Sequence, residues 1–314
     1  MRRRQRTDYT CNVNPDRPAV KGPQTTPATA PDQAPRVLTV EGGALAVTDS
    51  GRGVPFLLLH GFPLASDIFD PLRPGVERVA RQITPDLPGF GRSPAASAGT
   101  MESLARRMLV LLDTLGVERA VLGGHSMGGY IALRMAALAP ERVLGLVLIA
   151  TRAAPDGDAG AESRRRAIAV IEAGGKGEFL DGFVPRLLGA STRQRAPRLL
   201  AELRGLADEV APETLAACQR GMLQRPDSRP VLAALAVPTL VVAGAEDELI
   251  PREESDEMVD LAGGAELVLI PRSGHTPSVE RPIAAADAIA AFLARHFPGT
   301  PDVAAESGAA AGED

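Results

Sequence analysis

Apolar and polar positions in the first part of the chain follow the pattern of short β-strands. Three apolar runs, residues 36–40, 44–48 and 54–59, are separated by turns that contain glycine. The first two predict a β-hairpin. From the third run onward, β-type segments alternate with helical ones, which predicts a parallel sheet with helices on both faces. The alternating segments are residues 82–84, 102–115, 120–122, 127–138 and 143–149.

The strand pattern stops after Thr151 and returns at residues 237–243 and 266–270, before a closing helical pattern over 283–296. The intervening stretch is rich in Ala and Arg and is interrupted by proline, which favours an inserted set of helices over further strands. We therefore predict an α/β fold with one inserted segment. Its expected parts are a disordered leader (1–35), an α/β core (36–152 and 231–298), a helical lid (153–230) and a disordered tail (299–314).

Composition narrows the classes of protein to consider. The chain has 314 residues, of which 45% are hydrophobic, and this suits one large domain with a buried core. A formal net charge of −5 gives no basic surface for nucleic acid, so we expect no such partner. Cys11 and Cys218 are too few for a disulfide framework. We find no secretory signal and no long apolar span, so we expect a cytoplasmic protein with no membrane partner.

Ser126 lies in the pentapeptide Gly124-His125-Ser126-Met127-Gly128, directly after a predicted strand and directly before a helical pattern. A serine at such a sharp strand-to-helix turn points its hydroxyl out of the fold, while the following backbone N–H groups face an incoming oxyanion. The glycines two positions to either side lack the Cβ atoms that would collide in the turn. This context predicts that Ser126 is a nucleophile.

A serine hydroxyl needs a base within reach, and the chain offers four histidines. His125 shares the turn of the serine and points elsewhere. His60 suits the organisation of a loop, and His296 lies in the terminal helix. His275 stands in a loop just past the last predicted strand, and ligand chemistry in open parallel sheets gathers at this edge. We predict that His275 is the base.

The acid that orients the base is expected between the serine and the histidine in the chain, also past the end of a strand. Asp247 meets both conditions. Its neighbours Glu246 and Glu248 allow the alternative interpretation of a solvated acidic turn. Asp156 or Asp158, after the preceding strand, is an alternative source of the carboxylate. We prefer Asp247 as the third member of a triad.

Backbone groups near the serine predict an oxyanion hole. The N–H of Met127 follows the nucleophile, and the N–H of Phe62 lies in the loop after the third strand. Such donors are worth roughly 10²–10³ in turnover. Another loop, residues 86–93, follows the next strand and has the Gly and Pro content of a shaped active-site loop. This chemistry needs no metal and no organic cofactor.

Several of these segments together resemble the α/β-hydrolase fold superfamily, specifically its lidded serine hydrolases. The resemblance extends from residue 36 to about residue 297, and is greatest to the carboxylesterases and the 3-oxoadipate enol-lactonases of aromatic-acid degradation. It implies a serine hydrolase with an inserted lid. The segments that carry it are residues 60–63 (HGFP), 86–93 (DLPGFGRS), 124–129 (GHSMGG), 237–244 (VPTLVVAG) with Asp247, and 274–275 (GH).

Departures from related families narrow the field. Ser126 stands where epoxide hydrolases and haloalkane dehalogenases use an aspartate, and the chain contains no tryptophan, so those two chemistries are disfavoured. Carbon–carbon bond hydrolases also resemble the chain around the serine, but they often carry a tryptophan after the base histidine. This sequence has Thr276 there. A carbon–carbon bond hydrolase is therefore the alternative enzyme class.

The predicted activity is cleavage of a small ester or lactone through an acyl-enzyme, with water as the second acceptor. In the predicted lid, Phe179, Phe183 and Met222 are expected to form an apolar substrate wall, although residues at helical spacing also pack a lid onto its core. Arg186, Arg220 or Arg225 is a candidate partner for a substrate carboxylate. Two other hypotheses stay open: acyl transfer to an acceptor other than water, and a small-molecule binding or receptor protein with a slow triad.

Overall fold

A mixed β-sheet forms the centre of the molecule. The computed structural model describes residues 35–94 and 99–299, and the predicted leader and tail, together with Cys11, lie essentially outside the described residues. The eight strands within these ranges are β1 (Arg36–Val40), β2 (Gly43–Gly51), β3 (Val54–Leu59), β4 (Ala80–Pro85), β5 (Ala120–His125), β6 (Val143–Ile149), β7 (Thr239–Gly244) and β8 (Glu266–Ile270).

The strands follow the order β1-β2-β4-β3-β5-β6-β7-β8 across the sheet. β1 and β2 form the predicted hairpin, and β2 pairs antiparallel with β4. Every later pair of neighbours is parallel. β3 and β5 are buried along their whole length, as expected of central parallel strands that are covered on both faces. The predicted α/β fold with a mostly parallel sheet is confirmed.

Helices cover the sheet and fill the segment between β6 and β7. Of the twelve α-helices in the described ranges, α4 to α8 fall within residues 153–230, which we call the insertion. Its action as a lid stays a prediction. The helices are α1 (Arg73–Val76), α2 (Met101–Thr114), α3 (Met127–Leu138), α4 (Asp158–Glu172), α5 (Lys176–Phe183), α6 (Ala190–Arg195), α7 (Pro197–Asp208), α8 (Pro212–Leu223), α9 (Arg229–Ala234), α10 (Arg252–Leu261), α11 (Pro277–Glu280) and α12 (Pro282–His296).

Helix α2 illustrates how local sequence determines these elements. The Thr100 hydroxyl caps its first turn by accepting a hydrogen bond of 3.2 Å from the N–H of Ser103. Leu104, Met108 and Leu111, at helical spacing, are buried against the core. Among the described residues, none of the helices has both the length and the apolar character that crossing a bilayer requires.

Candidate active site

Ser126 occupies a strained corner between β5 and α3. Its φ is +52°, a left-handed conformation that non-glycine residues rarely adopt. A Cβ atom on Gly124 would collide with the backbone of Gly128, and one on Gly128 would collide with the backbone of Leu59. Glycine is therefore required at both positions, because the neighbouring backbone leaves no room for a Cβ atom. Ser126 is partly exposed, while the residues on both sides of it are buried, so the corner brings Ser126 to the surface.

His275 and Asp247 meet at the same edge of the sheet, past the ends of β8 and β7. The Nδ1–H of His275 donates to Oδ2 of Asp247 over 2.8 Å, and both side chains are buried, with 2% and 3% of their surfaces exposed. In the neutral imidazole this bond fixes the tautomer with its proton on Nδ1, so Nε2 is the nitrogen that can accept a proton. No hydrogen bond links the Ser126 hydroxyl to His275 among the described residues, and such bonds often tighten only when substrate binds.

The second oxygen of Asp247 is held by the backbone. Oδ1 accepts hydrogen bonds from the N–H groups of Leu249 (2.8 Å) and Ile250 (3.0 Å). Burial by itself would raise the pKa of Asp247, but His275 and these two N–H groups outweigh that effect and lower it. The carboxylate therefore stays ionised and can stabilise an imidazolium on His275. The alternative of a solvated turn does not describe this buried side chain.

The ring of His125 lies 5.0 Å from that of His275 and is fully buried. Its Nε2–H donates to the carbonyl oxygen of His275 over 2.7 Å. Burial and the neighbouring His275 lower the pKa of His125 to about 3, so the ring is neutral at physiological pH. His125 supports the backbone of His275 through this hydrogen bond.

The predicted oxyanion loop, residues 60–63, follows directly after β3 and is buried. The N–H of Met127 belongs to the first residue of α3, where helix geometry leaves N–H groups without an intrahelical partner. Phe62 is buried and is joined to Pro63 by a cis peptide bond. Nε2 of His60 accepts a hydrogen bond from the N–H of Leu87 over 2.9 Å, so His60 organises the loop. The role of Phe62 and Met127 as oxyanion donors stays a prediction.

Three phenylalanines cluster where the insertion meets this loop. The ring of Phe62 lies 6.1 Å from that of Phe179 and 5.6 Å from that of Phe183, and the two insertion rings stack at 5.4 Å. These spacings are typical of attractive aromatic pairs. The sulfur of Met222 lies 3.4 Å from Nη1 of Arg164 on α4. Contact with a substrate stays a prediction for all three predicted wall residues.

Asp156, the alternative acid, is bound to two arginines in the insertion and not to His275. It accepts from Arg225 at 2.8 and 3.0 Å and from Arg164 at 2.5 Å. Burial would raise the pKa of Asp156, but the two guanidinium groups lower it to about 2. Of the arginines considered for a substrate carboxylate, Arg225 is committed to this network, and Arg220 pairs with Glu172. Arg186 is exposed and donates to the carbonyl oxygen of Glu248.

Two family models match most of the chain, including parts of the insertion. Residues 54–188 match the model of the alpha/beta hydrolase fold, and residues 206–303 match that of the TAP-like proteins. A dihydrolipoyllysine-residue acetyltransferase component of an acetoin cleaving system from Pseudomonas putida is 33% identical over 84% of this chain and 70% of its own length. The chain belongs to the α/β-hydrolase family.

Relatives of this α/β hydrolase include enzymes with different substrates. A pimeloyl-[acyl-carrier protein] methyl ester esterase from Nitrosomonas europaea is 30% identical over 76% of this chain and 95% of its own length. A 2-hydroxymuconate semialdehyde hydrolase from Pseudomonas sp. strain CF600 is 30% identical over 84% of this chain and 96% of its own length. The names of these relatives thus support hydrolysis more strongly than they support any one substrate.

Solved structures match this α/β hydrolase over most of its length. A thermophilic esterase from Thermogutta terrifontis, bound to malate, superposes with a TM-score of 0.79 and 36% identity, over 83% of this chain and 99% of the esterase. The enol-lactonase from Burkholderia xenovorans LB400 superposes with a TM-score of 0.76 and 24% identity, over 82% and 99%. The second likeness supports the fold alone.

Two features of the α/β-hydrolase site were not anticipated from the sequence. The Thr151 hydroxyl donates to the carbonyl oxygen of Ser126 over 2.8 Å and supports the strained corner. Glu280 is buried beside His275 and accepts hydrogen bonds from the backbone on both sides of it. Glutamate is rarely buried without partners, and a four-residue helix such as α11 is too short to show a periodic pattern of buried positions, so no pattern identifies Glu280.

Proposed function

We propose that this α/β hydrolase cleaves a carboxylic ester or lactone of a small substrate, with Ser126 as nucleophile, His275 as base and Asp247 as the orienting acid. The observation that carries the proposal is the buried His275–Asp247 hydrogen bond of 2.8 Å. It fixes the tautomer in which Nε2 of His275 can accept a proton, at the sheet edge that also carries the strained Ser126 corner. An ionised acid and a neutral imidazole in a fixed tautomer are what activation of a serine hydroxyl requires.

The proposed reaction has two halves. In the first, Nε2 of His275 takes the hydroxyl proton while Ser126 Oγ bonds to the substrate carbonyl carbon, and the backbone N–H groups of Met127 and Phe62 stabilise the oxyanion. Collapse of this intermediate expels the alcohol, which takes the proton from His275, and leaves an acyl-enzyme. In the second half, water gives a proton to His275 as it attacks the acyl carbon, and the second intermediate collapses to release the carboxylic acid while His275 returns the proton to Ser126 Oγ. A lactone follows the same steps, with its alcohol still attached to the acyl group.

The 36% identity to an esterase supports an ester as the substrate class. Removal of the nucleophile tests the proposal directly. We expect Ser126→Ala to lose hydrolysis of p-nitrophenyl acetate while its circular dichroism spectrum and melting temperature stay close to those of the wild type. Ser103→Ala is the matched control, because Ser103 is exposed on α2. Turnover by Ser126→Ala equal to that of the control would contradict the proposal.

Carbon–carbon bond hydrolysis is the second candidate function, and the 30% identity to a 2-hydroxymuconate semialdehyde hydrolase favours it. This chemistry would use the same three side chains but would expel a carbon leaving group. A panel of aryl esters, lactones and ketones with a cleavable carbon–carbon bond distinguishes the two. Specificity constants at least 10²-fold higher for the ketones than for every ester and lactone would replace the first candidate by the second.

A further inference from the structure

A buried carboxylate joins the insertion to the loop that carries His275. Oε1 of Glu280 accepts hydrogen bonds from the N–H groups of Gly274 (2.8 Å) and Thr276 (3.1 Å), the two residues that flank the histidine. Oε2 accepts a hydrogen bond of 2.9 Å from the N–H of Gly189, in the insertion. Glu280 is 5% exposed. One side chain therefore holds the base loop on both sides of His275 and the insertion at the same time.

Close backbone contact strengthens this junction. A Cβ atom on Gly189 would lie 2.8 Å from the nitrogen of Gly274 and 2.6 Å from Oε2 of Glu246, so only glycine fits between the base loop and the acid loop. The hydroxyl of Thr276 also donates to the carbonyl oxygen of Leu187 over 2.7 Å. The insertion thus contacts the base loop through both side-chain and backbone groups.

The acid loop is part of the same junction. The N–H of Glu246 donates to the carbonyl oxygen of Ser273 over 2.7 Å, and the Glu246 carboxylate accepts a hydrogen bond of 2.9 Å from the N–H of Ser191. Both loops that supply the His275–Asp247 pair are therefore bonded to residues 187–191 of the insertion. A displacement of this segment would be transmitted to the two side chains that must stay aligned.

We infer that Glu280 is a positioning residue that holds His275 in place and couples its alignment to residues 187–191 of the insertion. The inference rests on the proposed function, since it assigns Glu280 a role only through His275. A misplacement of about 1 Å in a catalytic group can lower turnover by about 10²-fold. Loss of the Glu280 carboxylate should therefore affect kcat far more than it affects the binding of a small substrate.

The test separates alignment from simple loss of fold. Active sites of each variant are counted by titration with a fluorophosphonate, and kcat and KM for p-nitrophenyl acetate are expressed per titrated site. For Glu280→Gln, which keeps one acceptor oxygen and replaces the other by an amide donor, we expect kcat per site to fall about 10²-fold with KM changed less than about threefold. An unchanged kcat per site, with fewer sites or a lower melting temperature, would show a merely structural role and overturn the inference.

Two separate glycines of the insertion provide a second variant and its control. Gly189→Ala forces residues 187–191 away from the base loop, and we expect kcat per site to fall about tenfold. Gly205→Ala is the matched control, because Gly205 lies in α7 with open space around its Cα and alanine favours a helix there. Equal kcat for these two variants would overturn the coupling to the insertion, whether or not Glu280→Gln folds.

Failure of the proposed Ser126 nucleophile and His275 base gives a different result. In that case the wild type itself takes up no fluorophosphonate, and no active sites can be titrated in any variant. Failure of the present inference leaves the wild type labelled on Ser126 and the variants as fast per site as the wild type.

Discussion

Two loops follow neighbouring strands of the sheet, and each carries a buried aspartate, yet they serve different ends. After β7, Asp247 binds an imidazole, a group that gains and loses a proton near neutral pH. After β6, Asp156 binds two guanidinium groups that stay charged at any pH of interest. The first pair can support proton transfer, whereas the second can only hold structure. The partner of a carboxylate thus decides its role, even where burial and position at the sheet edge are alike.

The Asp156 loop closes the base of the insertion. Arg225, on the chain leaving α8, binds Asp156 and the carbonyl oxygen of Ala154, both on the chain entering the insertion. The N–H of Ser228 donates to the carbonyl oxygen of Ala153 over 2.9 Å. The guanidinium of Arg225 also lies 4.3 Å from the centre of the Tyr130 ring, which is a favourable cation–π distance. These contacts tie the two ends of the insertion to each other and to α3.

The largest expected effect is the loss of activity in a variant that lacks the Asp247 carboxylate. We expect Asp247→Asn to lower kcat by about 10⁴-fold through loss of the correct imidazole tautomer, with a folded protein retained. Steady-state hydrolysis of p-nitrophenyl acetate measures this effect, and Asp156→Asn is the control. A rate close to that of the wild type would move the orienting acid to another residue.

The next effect concerns stability. Asp156→Asn leaves the buried Arg225 without a carboxylate, although two carbonyl oxygens still accept from it. We expect a loss of about 3 kcal/mol in the free energy of unfolding, the lower end for breaking a buried ion pair. Urea denaturation measures it. Activity per folded molecule should stay within about twofold of the wild type, since no reacting atom is involved; a 10⁴-fold loss would assign Asp156 to the triad instead.

The difference in unfolding free energy between the wild type and Asp156→Asn should depend on pH. The pKa of Asp156 is lowered in the folded protein to about 2, below the ordinary value of about 3.9 in an unfolded chain. The contribution of the ionised Asp156 to the free energy of unfolding is therefore complete above about pH 4 and is lost as pH falls towards 2. Unfolding free energies of the wild type and Asp156→Asn should converge over this range. A difference that stays constant down to pH 2 would contradict the ion-pair interpretation.

The smallest expected effect comes from removing the Tyr130 ring, which the Arg225 guanidinium contacts. Tyr130→Leu keeps an apolar side chain on α3 but loses the cation–π contact, so we expect a loss of about 1 kcal/mol in unfolding free energy. Tyr130→Phe, which keeps the ring, is the control and should lose less. Equal losses of unfolding free energy in the two variants would show that the cation–π contact does not contribute to stability.

The sequence predicted the elements whose burial is uniform or periodic. The fully apolar run of β3 and the strand-to-helix serine could be read from composition and order, because chain geometry dictates both. It also predicted that Asp247 and His275 would lie past the ends of strands, which is where the structure brings them together. Their catalytic roles remain the proposal.

Contacts between segments that are distant in the chain could not be predicted from the sequence. Glu280 and Gly189 are 91 positions apart, and no periodicity links them. Asp156 and Asp247 both met the conditions for the orienting acid, and only the positions of Arg225 and His275 in three dimensions separate them. Likewise, helical spacing alone did not predict that the sulfur of Met222 lies next to Arg164 of α4.

Covalent labelling of the nucleophile tests the central claim most directly. The wild-type protein is incubated with a fluorophosphonate at neutral pH, digested and analysed by mass spectrometry, with Ser126→Ala and Asp247→Asn in parallel. The account predicts one adduct, on Ser126, formed rapidly in the wild type, far more slowly in Asp247→Asn and not at all in Ser126→Ala. An adduct on another residue, or no adduct on the folded wild type, would contradict it.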